Sequence, residues 1–211
     1  MLFSYDRLAP HYESKIAPLE RRFLESLRQK AIAALPAGGR ILEFGAGTGL
    51  NFRFYEPEAH GVATEPSTEM LRIAAQKEKP QGVCLVQSCG EQFPFANGSF
   101  DHALATLVMC SVNSPELVFR ELRRVIKIGG HISLLEHVRP DGILGLAFDL
   151  GNLITVPLFG DHLNRRTVEV ASNAGLTVIS VKKVRWGIIN LITCVNTISE
   201  PRSQISDQFR S

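Results

Sequence analysis

Seven short apolar runs recur along the chain, and most are followed by a stretch with helical spacing. Ile41–Phe44, His60–Thr64, Val83–Gln87, Phe100–Thr106 and His131–Glu136 read as buried strands bounded by glycine, proline or polar clusters. Between them the period changes. In Pro18–Leu35, residues Phe23, Leu24, Leu27, Ala31 and Ala34 recur at spacings of three and four, which predicts a helix ended by Pro36–Gly39. Ser67 is a good N-cap for a helix over Thr68–Lys79, whose Met70, Leu71, Ala74 and Ala75 share a face. Ser114-Pro115-Glu116 opens another that runs to about Ile126 before Gly129-Gly130 stop it. Asn164 is the expected cap of a last helix ending at Gly175, and Leu176–Arg185 and Ile188–Ile198 are two closing strands around Trp186-Gly187. Phe3–Lys15 predicts short helix and turn, Asn51–Tyr55 one or two helical turns, and Ser88–Gly98 a loop.

Strand and helix alternate at least four times, so the pattern predicts an α/β fold with a doubly wound, mostly parallel sheet and right-handed crossovers. The last two strands are joined by too few residues for a crossover helix, so one antiparallel strand is expected near the edge. The 211 residues suit one domain. They divide into an N-terminal helical lid (1–36), a ligand-binding core (37–138), an apolar insert (139–163), the last helix and two strands (164–198) and a tail (199–211).

Composition narrows the function by exclusion. Lys+Arg 23 against Asp+Glu 21 leaves +2, too little to argue for a nucleic-acid partner. Cys84, Cys89, Cys110 and Cys194 lack CxxC spacing and read as reduced cytosolic thiols, with no metal site. The first residues, M-L-F-S-Y-D-R, lack the pattern of a signal peptide, so a cytoplasmic location is expected. Ile143–Gly160 is the most apolar stretch. Asp149, Asn152 and Pro157 interrupt it, and it is barely long enough to span a bilayer. It reads either as a helix covering the sheet edge or as an apolar wall for an acceptor, with peripheral contact to a membrane surface. The second reading is slightly favoured, because so apolar an insert must bury against something.

The candidate chemistry sits in R-I-L-E-F-G-A-G-T-G, Arg40–Gly49. Gly45, Gly47 and Gly49 make a tight turn at a strand's carboxyl end, where open α/β sheets bind ligands. A dinucleotide motif wants glycine where Leu50 stands, so an NAD(P)-dependent oxidoreductase is the weaker reading. Instead Glu43 precedes the turn, and Glu65 ends the next strand, where a ribose diol acceptor belongs. No basic residue stands beside these glycines to meet a pyrophosphate. An acid at the turn favours a ligand carrying positive charge, such as an α-amino or sulfonium group.

E-F-G-A-G-T-G, then A-T-E-P-S, E-Q-F-P-F, F-D-H-A-L-A-T-L-V-M-C-S-V, E-L-R-R-V-I-K-I-G-G and L-L-E-H-V-R-P together resemble a class I S-adenosylmethionine-dependent methyltransferase. Within that superfamily the chain is similar to the ubiquinone/menaquinone-biosynthesis (UbiE-like) group. L-V-M-C-S-V, E-H-V-R and H-L-N-R are most similar to the branch of bacterial phospholipid N-methyltransferases and methyltransferase-like 7 thiol methyltransferases. The resemblance implies a Rossmann-like seven-stranded sheet and S-adenosylmethionine as cofactor. It implies that Gly45, Ala46 and Gly47 pass their backbone along the methionine portion, with Glu43 holding its amino group directly or through water. Glu65 would accept from the ribose hydroxyls, with Pro66 near the adenine and Cys89, Gly90 and Glu91 on the adenine edge. Many relatives have Asp where Cys89 stands; cysteine is a poor acceptor, so that contact would fall to backbone. Thr106 would line the methionine side, and Tyr5 and Tyr12 would belong to an N-terminal lid. The acceptor would be a small or lipid-like molecule, methylated on N, S or C. A non-catalytic binding module with the same fold is the alternative.

His137 follows the fifth strand on the ligand-facing edge. It is the candidate base, against a histidine merely hydrogen-bonded to a loop. His162 reads as structural, His102 as buried and neutral, and Cys110 as core packing.

Overall fold

The structure is a computed structural model that describes residues 2–139, 145, 148–150, 162, 164–184 and 187–197. The apolar wall or lid expected within Ile143–Gly160 falls largely outside the described residues, and the tail lies wholly outside them.

Among the described residues the elements follow in chain order: α1 (Leu2–Leu19), α2 (Glu25–Ala33), β1 (Arg40–Phe44), β2 (His60–Thr64), α3 (Thr68–Ala74), β3 (Gly82–Val86), β4 (Phe100–Thr106), α4 (Pro115–Val125), β5 (Ile126–His137), α5 (Thr167–Asn173), β6 (Thr177–Val184) and β7 (Ile189–Val195). The strands form one sheet in the order β3-β2-β1-β4-β5-β7-β6. β7 alone runs antiparallel, wedged between β5 and β6, so the expected sheet is the one observed. Strand order reverses between β1 and β4, and a crevice opens beyond their carboxyl ends.

Alternation along each strand sends neighbouring side chains to opposite faces. Leu42, Phe44, Ala103, Ala105, Ile132 and Leu134 pack with Val118, Phe119 and Leu122 of α4 and Ala171 of α5. Leu104, Leu135 and Leu191 point the other way, against Leu24, Leu27 and Ala31 beside and within α2. Ala63 and Val83 of β2 and β3 pack with Ala74 of α3.

The N-terminal segment differs from expectation. The chain is helical from Leu2 to Ala33, joined across Glu20–Leu24 by a π-helical turn. Pro10 and Pro18 lie inside α1, and they are why the sequence reads as two pieces. The π turn changes which residues share a face. Eight residues of ideal α-helix leave side chains about 80° apart, whereas one extra residue per turn brings them back to within about 20°. Glu20 and Arg28 therefore meet, Nε to Oε1 at 2.8 Å.

Three boundaries shift. The last turn of α3 tightens, with Gln76 N–H on Ile73 C=O and Lys77 N–H on Ala74 C=O ahead of Pro80, so the helix ends at Ala74 rather than Lys79. β5 starts directly at Ile126, and Gly129-Gly130 lie inside it. There Asn196 ties the strand down, taking Gly129 N–H on its carbonyl and donating Nδ2 to Ile126 C=O at 2.7 Å. Asn164 does not cap α5. The N-cap residue is Arg166, without a side-chain cap, and Asn164 Nδ2 donates to Asp149 Oδ1.

Candidate active site

The crevice holds a cavity of about 480 Å3, in the range of small-molecule sites. Its floor is the glycine turn after β1. Gly45 and Gly47 adopt φ of 67° and 56°, which L side chains rarely do. A Cβ at Gly45 would lie 2.5 Å from Val108, whereas one at Gly47 would meet nothing within 4 Å. Gly45 is therefore glycine for packing, and Gly47 leaves bare backbone facing open space. Ala46 N–H bonds Thr64 C=O at 2.9 Å and ties the turn to β2.

Glu65, at the end of β2, is 7% exposed and lines the cavity. Its Oε2 accepts Gly47 N–H and its Oε1 accepts Ser67 N–H, both at 2.9 Å. Burial pushes its carboxyl above the usual range, and the two N–H bonds oppose that. Each oxygen keeps a second lone pair for an incoming hydroxyl. Pro66 lies beside it on the wall.

Glu43 is the acid that precedes the turn. It does not line the cavity, and both its oxygens are taken, by Asn51 Nδ2 at 2.8 Å and Tyr55 Oη–H at 2.7 Å. Leu42 and Phe44 face α4, so Glu43 points to the α2 face, where Asn51 links it to Thr106 and Arg28. Its role is to fix the segment after the glycine turn. Burial raises its pKa, against the bonds from Tyr55 and Asn51.

The cation at this end of the cavity is one the sequence reading passed over. Arg28, 3% exposed, lines the cavity and is held by Glu20, by Asn51 Oδ1 at 3.1 Å and by Thr106 Oγ1 at 2.5 Å. Its signal was present: Arg28 falls on the apolar stripe of Leu24, Leu27 and Ala31, where an unpaired charge would be costly. Thr106 ends β4, lines the cavity and also accepts from Asn51 Nδ2 at 3.0 Å.

α1 closes one side. Asp6 accepts Ser67 Oγ–H at 2.6 Å and Glu69 N–H at 3.2 Å, and Lys77 pairs with Glu13 at 2.5 Å. These contacts dock α1 on α3 and bring Tyr5 and Tyr12 to the cavity wall. Cys89, Gly90 and Glu91 also line the cavity. Glu91 Oε1 accepts Asn113 N–H at 2.8 Å, joining that loop to the start of α4.

The remaining wall is the loop after β4, with Leu107, Val108 and Val112, continued by Leu117 of α4. Leu107 has φ 61°, the one left-handed non-glycine residue among those described. Glu136, fully buried, holds this loop: its Oε1 and Oε2 accept the N–H groups of Val108 and Met109, each at 3.1 Å. Burial pushes its pKa up to about 8, against those two bonds. His137, the expected base, is not among the residues lining the cavity. It stacks on Phe148, ring centroids 5.3 Å apart. Glu136 shares a face with Leu134, so His137 turns with Leu135 to the other side of the sheet.

The site thus joins backbone at Gly47, paired lone pairs at Glu65 and a buried guanidinium at Arg28 around one cleft. That is a fold and site of the nucleoside-binding α/β class. Residues 42–134 match the family described as Methyltransferase domain. The chain is similar to human "Thiol S-methyltransferase TMT1B", 33% identical over 140 residues, which cover 61% of this chain and 57% of that protein. It is similar to the "Phosphatidylethanolamine N-methyltransferase" of Cereibacter sphaeroides, 33% identical over 122 residues, 56% of this chain and 60% of that one. Among solved structures it matches a Thermotoga maritima protein described as a SAM-dependent methyltransferase, possible histamine N-methyltransferase. The TM-score there is 0.70 at 24% identity, over 93% of this chain and 100% of that one. The chain spans less than two thirds of the length of the two curated relatives. Residues 42–134 thus match a methyltransferase domain, and the chain has the fold of the class I S-adenosylmethionine-dependent methyltransferases.

The residues fit that cofactor. Gly47 leaves room for a chain beside its backbone, Glu65 offers acceptors to a ribose diol, and Arg28 offers a cation to the methionine carboxylate.

Proposed function

We propose that this protein methylates a small or lipid-like apolar acceptor, and that a thiol is the acceptor the cavity suits best. The reading rests on the wall formed by Leu107, Val108, Val112 and Leu117, which offers apolar side chains and no base. The cavity's acids are engaged elsewhere: Glu65 with Gly47 and Ser67, Glu91 with Asn113. S-adenosylmethionine supplies an activated methyl group on a sulfonium sulfur, open to in-line displacement by an acceptor lone pair. The protein's share is alignment and a dry site, which in well-oriented reactions lower the barrier by about 7–11 kcal/mol. A thiol, with a free pKa of about 8.5, is partly thiolate at neutral pH and releases its proton to solvent. An amine with a pKa of about 10 would need a base. The similarity to a thiol S-methyltransferase supports the same choice. The similarity to a phosphatidylethanolamine N-methyltransferase keeps a phospholipid amine as the second reading. Among the described residues no helix is long and apolar enough to cross a membrane.

The test is a panel of alkyl thiols, phosphatidylethanolamine and quinone precursors incubated with methyl-labelled cofactor. The reading predicts label in the thiols, with kcat/KM rising with pH along each thiol's own titration. Label confined to the amine or the quinone carbon would overturn the thiol assignment.

A further inference from the structure

Behind the loop that walls the cavity lies a second cavity of about 180 Å3, between the starts of α4 and α5. Glu116, Asn164, Arg165, Arg166 and Thr167 line it. Three observations at this place point to a missing partner. Arg165 donates Nη2 to Val112 C=O at 2.7 Å, but its Nε is buried with no acceptor. Among the described residues no carboxylate forms a salt bridge with it, whereas Arg166 pairs with Glu169. Thr167 is 2% exposed and its Oγ1 has no hydrogen-bond partner. A buried donor left without an acceptor is destabilising, and more so where the group is charged. Two such donors on one small cavity call for a common acceptor.

We propose that this cavity binds a singly charged, phosphate-type oxyanion, held by Arg165 Nε–H and Thr167 Oγ–H with Arg166 at the rim. A guanidinium fork and a hydroxyl match tetrahedral oxyanion geometry. Glu116 sets the charge. Its carboxylate lines the same cavity, so a monoanion such as a phosphodiester is favoured over a dianion. Burial holds the Arg165 pKa below its ordinary value, as expected for a guanidinium awaiting a counter-ion, with Glu116 opposing. The bond from Arg165 to Val112 couples the two cavities, because Val112 also lines the larger one. The oxyanion can come from a lipid headgroup or from free phosphate.

The probes are dimethyl phosphate, inorganic phosphate at pH 6 and monomeric dihexanoylphosphatidylethanolamine, at constant ionic strength. The readouts are the Arg165 Nε–H resonance in a 15N spectrum and the melting temperature. A saturable shift of that resonance with all three probes supports the site and a general phosphate-type ligand. Saturation with the lipid alone supports the site and names the headgroup as its source. In either case Thr167→Val, which keeps side-chain shape, weakens binding about tenfold, and Arg165→Met abolishes the thermal effect. No saturable shift with any probe overturns the proposal, as does undiminished affinity in Thr167→Val. The binding readouts need no methyl transfer, so failure of the thiol reading would leave this result standing.

Discussion

Replacing Glu136 by glutamine tests how the wall of the cavity is held. The carboxyl accepts two backbone N–H groups, from Val108 and Met109, each at 3.1 Å, and is fully buried. Glutamine can accept only one of them and turns its own NH2 toward the other. One buried N–H is then unsatisfied, a cost of about 1–3 kcal/mol. The pH dependence sharpens the test. Burial raises the folded pKa of Glu136 from 4.5 to about 8. The folded protein therefore keeps a proton that the unfolded chain releases between those values. The stabilisation linked to that proton is fully present below about pH 4.5 and is lost as pH rises through about 8. Each pH unit inside the window is worth up to about 1.4 kcal/mol. Glutamine has no such titration, and all other groups are common to both proteins. Urea unfolding at pH 5.5, 7 and 8.5 should show the wild type ahead at pH 5.5 and the gap closing by about 1 kcal/mol or more by pH 8.5. Parallel curves, with a gap independent of pH, would refute the reasoning.

Other expectations follow from the same geometry. Arg28→Met alone leaves Glu20 buried and unpaired, so it should cost about 3–5 kcal/mol of stability. The double variant Glu20→Gln/Arg28→Met should recover part of that while its cofactor affinity, read by calorimetry, stays about tenfold or more below wild type. Gly47→Ala places a methyl group in open space at φ 56°. Melting should show a loss of about 1 kcal/mol, and cofactor titration a much larger relative loss of binding. His137→Ala should keep turnover within a few-fold of wild type, since the ring stacks on Phe148 and is not part of the cavity wall. A loss of about a hundredfold or more with an altered pH profile would restore it as a base.

The sheet was legible because its strands carry a clear period and its glycine turn carries a specific chemistry. The antiparallel β7 followed from a connection too short to cross over. What the sequence hid has physical causes. Pro10 and Pro18 look like helix breakers, yet a π turn absorbs the disruption and keeps one helix running to Ala33. Without that turn in mind, Arg28 has no visible link to Glu20. Glu43 stands close to the glycines in sequence, but its oxygens go to Asn51 and Tyr55, and strand alternation puts Glu136 and His137 on opposite faces. Glu136 could have been found by asking what satisfies the backbone of a loop held in a left-handed turn at Leu107.

The most direct measurement is a crystal structure of the protein with S-adenosylhomocysteine. The ribose hydroxyls should lie on Glu65, the methionine chain along Gly47 and its carboxylate on Arg28, with Glu43 still bonded to Asn51 and Tyr55. Nucleoside bound away from Glu65, or a carboxylate that ignores Arg28, would contradict this placement.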